Sequence, residues 1–360
     1  MFELSCEMEF PEDQYFKINR VLLSLVGLWP YEDLKVRHFR FILSVLIMIT
    51  FIGTQIKEFR ERLRNNWDAL KDKEEIEIIC KHGNTGKLFT IFIAVLVYSI
   101  LFLYISQYIS VLLNIAISLN ESGPRELLFP AEYFIDQQKY FYVITIHVSL
   151  GLLVIGTTGI ATESFSLANA LHAFGLFKIA SYRMKKVLDG INRTDMCLNK
   201  EYARSCNKII AAVDFHKRAI EFSELLKGSF GRMYLAMFVG CVCSIGVNLS
   251  TISRLLIMEK EIFFIIKYVL CIILSLTCLT LANYAGQEFI NSDTHVYRTI
   301  CNMKWYNASL KTQKLILFLI QKTTKCYKVD AGGMFSPCLE GLTTAVSMSV
   351  SYFMVLRSTF

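Results

Sequence analysis

Residues 88–117 read LFTIFIAVLVYSILFLYISQYISVLLNIAI, thirty consecutive positions without a charged side chain. A bilayer has a hydrocarbon core about 30 Å thick, which a helix of about 20 apolar residues can cross. The apolar residues are continuous instead of alternating with a period of two, so they predict a transmembrane helix and not a strand of a barrel. Because the stretch is longer than a span needs, this helix must tilt or project from the membrane.

The composition of the whole chain is that of an integral membrane protein. Of its 360 residues, 54% are hydrophobic and 19% are charged, against about 45–50% and about 25% in soluble domains. The mean hydropathy is +0.42. A net charge of +7 could suit a nucleic-acid partner, but the basic residues lie between apolar runs. We therefore predict a membrane protein that binds no nucleic acid.

Six stretches have the length and composition of membrane spans, which predicts an all-α, polytopic transmembrane bundle. They are residues 39–56, 88–117, 141–161, 233–257, 262–285 and 336–356. No internal repeat of the kind common in transporters is apparent. Acidic and histidine side chains do not cluster within the spans, as an enzyme would require. No Cys/His spacing suggests a metal site, and we predict no cofactor.

Lysine and arginine are distributed unevenly between the connections, and this asymmetry predicts the orientation. Segments 57–87, 164–229 and 287–335 hold eight, eleven and seven, whereas segments 118–140 and 258–264 hold two and one. The three basic segments are therefore expected in the cytoplasm, and the C-terminus outside. Six spans would also leave the N-terminus outside, although residues 1–38 carry four Lys or Arg and no export signal. A seventh span between residues 39 and 88 would place it inside.

Polar side chains form a stripe along the last predicted span. At steps of four, three, four and seven residues, one helical face carries Glu340, Thr344, Ser347, Ser351 and Ser358. Val355 lies on the same stripe, and the opposite side carries Leu342, Val346 and Phe353. The stripe fits two arrangements, a close-packed helix interface and the wall of a water-filled path in an oligomer, and the first is the commoner. In the second, Val355 would be a hydrophobic gate.

Two features lie in the connections. The run 315–320, LILFLI, is flanked by Lys314 and Lys322 and is too short to span a bilayer. It predicts a buried cytosolic packing helix, with an amphipathic helix on the membrane surface as the alternative. Asn120 begins an Asn-Glu-Ser sequence in a predicted outside loop and is the candidate glycosylation site.

Several motifs resemble those of the insect odorant receptors. At the C-terminus these are AGGMF at 331–335, LE at 339–340 and SYFMVLR at 351–357. At the N-terminus, NRVLL at 19–23 and GLWP at 27–30 are similar to receptors of ants, bees and wasps. The segment before the family's third helix is matched by Trp67, Asp68, Leu70, Lys71 and Glu74. The resemblance is to an odorant-binding receptor and not to the shared co-receptor.

The resemblance implies a seven-helix subunit with a cytosolic N-terminus and an extracellular C-terminus. Four subunits, including a shared co-receptor, would surround a non-selective cation pore that small volatile molecules open. Such channels lie in the plasma membrane of olfactory sensory neurons. By resemblance the gate residues are Val355, which matches, and Thr359, where the co-receptor would have leucine. This polar difference favours a mixed assembly.

The same resemblance divides the chain into four segments. Residues 1–38 would be a cytosolic N-terminal segment, and residues 39–285 the helices that hold the ligand. Residues 286–335 would be cytosolic anchor and assembly helices, and residues 336–360 the pore-lining helix with an extracellular end. The helices expected to form the odorant pocket carry an apolar and aromatic set, whose candidate members are Tyr98, Phe102, Tyr142, Ile146 and Leu150.

One departure from the family pattern leaves alternatives open. The family's second helix should come between residues 55 and 60, but almost no residues lie there. The chain could therefore be a truncated, non-functional receptor. A G-protein-coupled receptor is a second alternative, although no Asp-Arg-Tyr follows the third span and no Asn-Pro-x-x-Tyr lies in the last. A gustatory receptor is a third alternative, although the C-terminal segment of this chain lacks the Thr-Tyr and Gln-Phe ending expected of that group.

Overall fold

The computed structural model describes residues 53–117, 136, 139–191, 199–257, 262–302, 305–307, 310–324 and 336–358. The chain divides into two compact units, residues 1–69 and 70–360. In the first, the described residues 53–68 are helical. Positions 57–64 of this helix read KEFRERLR, so they do not supply an apolar second span. Asn120 and Thr359 lie outside the described residues.

The described residues of the second unit form a bundle of six α-helices and one short 3₁₀ turn. The α-helices are α1 (Lys73–Ile117), α2 (Phe141–Ile191), α3 (Asn199–Ile257), α4 (Ile262–Cys301), α5 (Leu310–Thr323) and α6 (Leu339–Ser358), and the 3₁₀ turn is Trp305–Asn307. Five of these helices are long and apolar enough to cross a membrane. They contain five of the six predicted spans, and the remaining span, 39–56, lies almost wholly outside the described residues. The predicted all-helical membrane fold is confirmed.

Four of the helices are much longer than a bilayer is thick. Helices α1, α2, α3 and α4 have 45, 51, 59 and 40 residues, which correspond to roughly 68, 77, 89 and 60 Å at about 1.5 Å per residue. The hydrocarbon core is about 30 Å thick, so a large part of each helix must extend beyond it. The extensions follow from the sequence, because residues 164–229 keep helical periodicity after the apolar run of α2 has ended.

The best-buried core lies in these extensions and not in the apolar spans. Large fully buried side chains concentrate at the end of α2 and the start of α3, and they include Phe174, Phe177, Phe215 and Phe222. The rings of Phe174 and Phe289 meet edge to face with centroids 4.7 Å apart, which joins α2 to α4. These extensions exceed the length that a bilayer core can cover, so the hydrophobic effect can drive their packing as in a soluble protein.

A buried ion pair ties three helices together in the same region. The Arg183 guanidinium of α2 donates to both carboxylate oxygens of Glu75 in α1, at 2.7 and 2.8 Å. The guanidinium also lies 3.8 Å from the ring centroid of Phe215 in α3. The backbone amide of Lys71 donates to Glu75 at 2.9 Å, so the carboxylate also satisfies a donor at the start of α1.

Helix α5 is neither wholly buried nor wholly exposed. It packs on α4 through a face that repeats at three- and four-residue steps and carries Thr312, Ile316, Leu319 and Thr323. The large side chains of Leu310, Leu317 and Phe318 remain exposed. The predicted buried helix over 315–320 is therefore buried on one side only, because packing on one neighbouring helix can cover only one face.

We expect the substitution Glu75→Gln to destabilise the bundle by about 3–5 kcal/mol, because it leaves the buried Arg183 without its counter-charge. Asp72→Asn is the matched control. It breaks the pair between Asp72, which directly precedes α1, and Lys186 of α2; these side chains are 40% and 59% exposed, and the loss should cost about 0–1 kcal/mol. Thermal unfolding of the detergent-purified protein measures both changes. Equal losses would contradict a structural role for the buried pair.

Candidate functional site

The last helix, α6, is fixed to α4 at its first turn. The backbone amide of Cys338 donates to the Asn283 side-chain oxygen at 3.1 Å. The Pro337 carbonyl lies so close to Gly286 that a β-carbon at position 286 would overlap it. Only glycine permits this approach, so Gly286 and Asn283 together set where α6 begins.

One face of α6 is built from small residues and packs inside the subunit. Gly341, Ala345 and Ser349 recur every four residues and are buried. Ala345 forms a core cluster with Ile245 of α3 and Leu279 of α4. Further along, the Tyr352 ring lies against Gly246 of α3, where a β-carbon would overlap it. Small side chains let helix backbones approach closely in a membrane, so this face fixes the rotation of α6 about its axis.

The polar stripe lies on the other side of α6. All of its described members are exposed on the subunit: Glu340, Thr344, Ser347, Ser351, Val355 and Ser358. The described residues therefore do not bury the stripe in a packed interface within the chain. The Thr344 hydroxyl donates to the Glu340 carbonyl at 3.0 Å, and the Ser358 hydroxyl to the Val355 carbonyl at 2.8 Å.

The side opposite the stripe differs in detail from the sequence prediction. Leu342 packs against the core cluster, but Val346 is exposed. The contact surface is instead the row of Gly341, Ala345 and Ser349. The sequence does show these small residues at steps of four, a spacing typical of packed membrane helices. Their hydropathy, however, does not distinguish them from the rest of the helix.

A second candidate site is an open groove of about 720 Å³ on α1 and α4. Its volume lies in the range of small-molecule pockets, about 300–1,000 Å³. The lining residues are mostly apolar: Ile91, Ala94, Val95, Tyr98, Ser99, Phe102, Leu103 and Leu270. The Tyr98 hydroxyl lies 3.2 Å from the Thr157 hydroxyl of α2, so this tyrosine also contacts the neighbouring helix.

Two of the five predicted pocket residues, Tyr98 and Phe102, line the groove. Tyr142, Ile146 and Leu150 lie on an exposed face of α2 and are not among the residues that line the groove. Leu270 of α4 completes the groove and was not predicted, since nothing in its local sequence distinguishes it from other leucines of the span.

Comparison with known proteins identifies the family. The family model described as 7tm Odorant receptor matches residues 41–350, which is most of the chain. The chain belongs to this odorant receptor family. The motifs at its two ends had indicated the same membership, and that prediction is confirmed.

Similar sequences and structures agree with this membership. Odorant receptor 22c of Drosophila melanogaster is 24% identical over 205 residues, which are 54% of this chain and 48% of that protein. Putative odorant receptor 92a of the same species is 22% identical over 59% of the chain and 46% of its own length. The match thus spans about half the length of these curated relatives.

The fold of this chain is also found in a solved insect structure. The insect olfactory receptor OR5 from Machilis hrabei superposes with a TM-score of 0.61 at 12% identity, over 100% of this chain and 94% of that one. The same receptor in complex with eugenol superposes with a TM-score of 0.57 at 12% identity, over 96% and 98%. At this identity the likeness extends to the fold alone.

We expect Gly286→Ala to displace the start of α6, because the added methyl group overlaps the Pro337 backbone. The cost of such overpacking is about 1–3 kcal/mol, more than the helix propensity of about 1 kcal/mol that alanine gains. Gly240→Ala on α3 is the control, since a β-carbon there meets nothing within 4 Å. Melting temperature and surface labelling of tagged receptors measure the effect. Comparable values for the two variants would refute the close contact.

Proposed function

We propose that this odorant receptor is a subunit of an odorant-gated, non-selective cation channel whose pore is lined by α6. The supporting observation is the two-sided character of α6, with small residues packed against α3 and hydroxyls exposed on the opposite side. Hydroxyls that face lipid gain no hydrogen bonds from it, so the exposed stripe suits a surface that meets water between subunits.

The order of residues along the stripe suits cation conduction. Glu340 stands at the start of α6, on the cytoplasmic side if the C-terminus is outside. A ring of such carboxylates would attract cations. Ser347 and Ser351 would give hydrogen bonds to water around the ion, and Val355 would form the hydrophobic constriction towards the outer end. Opening then requires that the ligand bind the open arrangement more tightly than the closed one.

The partner we propose is a shared odorant co-receptor, in a hetero-tetramer in the plasma membrane of olfactory sensory neurons. Thr359 supports a mixed assembly, because a ring of four threonines would make a poorer hydrophobic gate than a ring that contains leucines. The exposed Leu310, Leu317 and Phe318 of α5 suit contacts between subunits outside the membrane. The uneven distribution of basic residues supports an extracellular C-terminus.

The ligand we propose is a small volatile organic molecule that enters the groove between α1 and α4. The groove has the volume and apolar lining that such a ligand needs. A solved structure of the same fold holds eugenol, which supports a ligand of this size. Tyr98 and Phe102 provide aromatic surface, and the candidates Tyr142, Ile146 and Leu150 would contribute only if the ligand also contacts α2.

One observation favours a second candidate, a receptor that no longer conducts. The described residues 53–68 form a helix whose positions 57–64 are largely charged, where the family pattern expects an apolar second span. Patch-clamp recording of the wild-type chain with a co-receptor distinguishes the two candidates. Odorant-evoked current favours the channel, and normal surface delivery without current to any odorant favours the non-conducting receptor.

We expect Ser347→Leu combined with Ser351→Leu to reduce single-channel conductance at least about threefold and to change relative cation permeability, since leucine does not hydrate a permeating ion. Thr280→Leu is the control, because it removes an exposed hydroxyl from α4 within the apolar span. Both receptors are expressed with the co-receptor, and surface labelling confirms delivery. Unchanged conductance and permeability in the double variant would exclude the stripe from the ion path.

We expect Phe102→Ala to raise the half-maximal concentration of an active odorant about tenfold, because it removes aromatic contact area from the groove. Phe92→Ala is the matched control, a half-exposed phenylalanine of the same helix that is not among the residues lining the groove. Dose–response curves for a panel of odorants test the difference. Equal shifts in the two variants would exclude the groove as the ligand site.

A further inference from the structure

The groove on α1 and α4 is lined by two hydroxyl groups, and the direction of their hydrogen bonds determines what they can offer to a ligand. Among the described residues that line the groove, Tyr98 and Ser99 carry the polar side chains, and the others are apolar. The Ser99 hydroxyl donates to the Val95 carbonyl at 2.7 Å. The Tyr98 hydroxyl lies 3.2 Å from that of Thr157 in α2, and either oxygen could be the donor by distance alone.

The donor in the contact between Tyr98 and Thr157 follows from counting hydrogens. A hydroxyl group has one hydrogen and two acceptor lone pairs. The Thr157 hydroxyl donates its hydrogen to the Leu153 carbonyl at 2.7 Å, which leaves only lone pairs for Tyr98. The Tyr98 hydroxyl is therefore the donor, and the hydrogen bonds run from Tyr98 to Thr157 and on to the Leu153 carbonyl. We call these three groups the tyrosine relay.

Apolar surroundings keep the Tyr98 hydrogen on Thr157. Both residues lie within apolar spans, at 88–117 and 141–161, where a hydroxyl hydrogen without an acceptor is costly because lipid offers none. A bond of this kind has a simpler use in holding two membrane helices together. Tyr98, however, also lines the groove and is 44% exposed. Both hydroxyls of the lining thus have their hydrogens committed, and what they retain for a ligand is lone pairs.

We propose that the ligands of this receptor are alcohols, apolar molecules whose hydroxyl group donates a hydrogen bond to the Tyr98 oxygen, with Ser99 as a further acceptor in the lining. This inference rests on the proposed ligand role of the groove. A ketone of the same carbon skeleton has an acceptor oxygen and no donor. It can be paired only if the Tyr98 hydroxyl turns away from Thr157, which forfeits one hydrogen bond. An ammonium group would also donate, but its charge costs far more to bring into an apolar groove.

The first test measures binding to the purified wild-type protein, so that it is independent of channel current. The probes are three matched pairs of an alcohol and its ketone: 2-hexanol and 2-hexanone, 2-octanol and 2-octanone, and 1-phenylethanol and acetophenone. The rise of the melting temperature with probe concentration gives an apparent dissociation constant for each probe. We expect each alcohol that binds to do so about three- to tenfold more tightly than its ketone, the effect of one neutral hydrogen bond. Equal affinities within the pairs, tighter binding of the ketones, or no binding of any probe would overturn the proposal.

The second test alters the tyrosine relay without altering the lining of the groove. Thr157 is not among the lining residues, and Thr157→Val keeps its shape while it removes the acceptor of the Tyr98 hydrogen. Because Tyr98 can then donate to a ligand, we expect the ketones to bind about three- to tenfold more tightly than to the wild-type protein. The preference for alcohols should fall below about twofold.

Thr158→Val is the matched control for this change. Thr158 is the neighbouring exposed threonine of α2, and its hydroxyl likewise donates to a carbonyl four residues earlier, that of Val154, at 2.7 Å. The contact with Tyr98 belongs to Thr157, so Thr158→Val should leave the affinities of all probes within about twofold. A full alcohol preference in Thr157→Val, or an equal loss of preference in both variants, would overturn the role of the relay.

A further variant removes the acceptors themselves. Tyr98→Phe combined with Ser99→Ala deletes both hydroxyls and keeps the aromatic ring. It should abolish the preference through weaker binding of the alcohols, by about three- to tenfold, whereas Thr157→Val abolishes it through stronger binding of the ketones. Stronger ketone binding in the variant without hydroxyls would contradict the assignment of donor and acceptors.

Recording from the wild-type receptor expressed with the co-receptor separates this inference from the proposed channel. The same three pairs of probes are applied in dose–response experiments. Alcohol-selective binding to the purified protein without any evoked current would leave the alcohol site standing and contradict the channel. Evoked current with equal sensitivity to alcohol and ketone would support the channel and overturn the alcohol site.

Discussion

The close contact of α6 with α3 is the constraint on which the functional arrangement depends. Gly341, Ala345 and Ser349 present almost no side chain, so the two helix backbones can approach, and any larger residue would push them apart. Contact through this face leaves one rotation of α6 about its axis. That rotation determines that Ser347 and Ser351 face away from the subunit. The surface of α6 that the described helices leave exposed is thus a consequence of packing inside the chain.

Much of this fold could be predicted from the sequence, because membrane spans depend on a local property. Thirty uncharged residues at 88–117 can hardly be anything other than a helix through a bilayer, and the same holds for the other four confirmed spans. The extent of the helices beyond the membrane was less visible, since α2 and α3 continue with mixed residues. Their buried core around Phe177 and Phe215 depends on contacts between helices, as does the Arg183–Glu75 pair. No pattern along a single helix specifies such partners.

The candidate sites show where sequence stops being informative. The family resemblance made Tyr98 and Phe102 of α1 pocket candidates, and both line one groove. Spacing could not tell which face of α2 would turn towards that groove, because the rotation of one helix against another is set by packing. Lys267 is visible in the sequence as a charge within a span, but the Tyr104 ring beside its ammonium belongs to a residue more than 160 positions earlier. Likewise the polar stripe of α6 was evident, whereas its exposure became known only once the small-residue face was seen to be buried.

Helix α4 connects the two sites physically, which bears on how a ligand could open the pore. Nearer its N-terminus it carries Leu270, which lines the groove, and further along it carries Leu279, Asn283 and Gly286, which contact α6 or the residues just before it. A rigid helix that moves at one end moves at the other, and the Pro337 contact at Gly286 leaves little room for slippage. Contact alone does not create coupling, however, because a ligand shifts an equilibrium only by its difference in affinity for the two states.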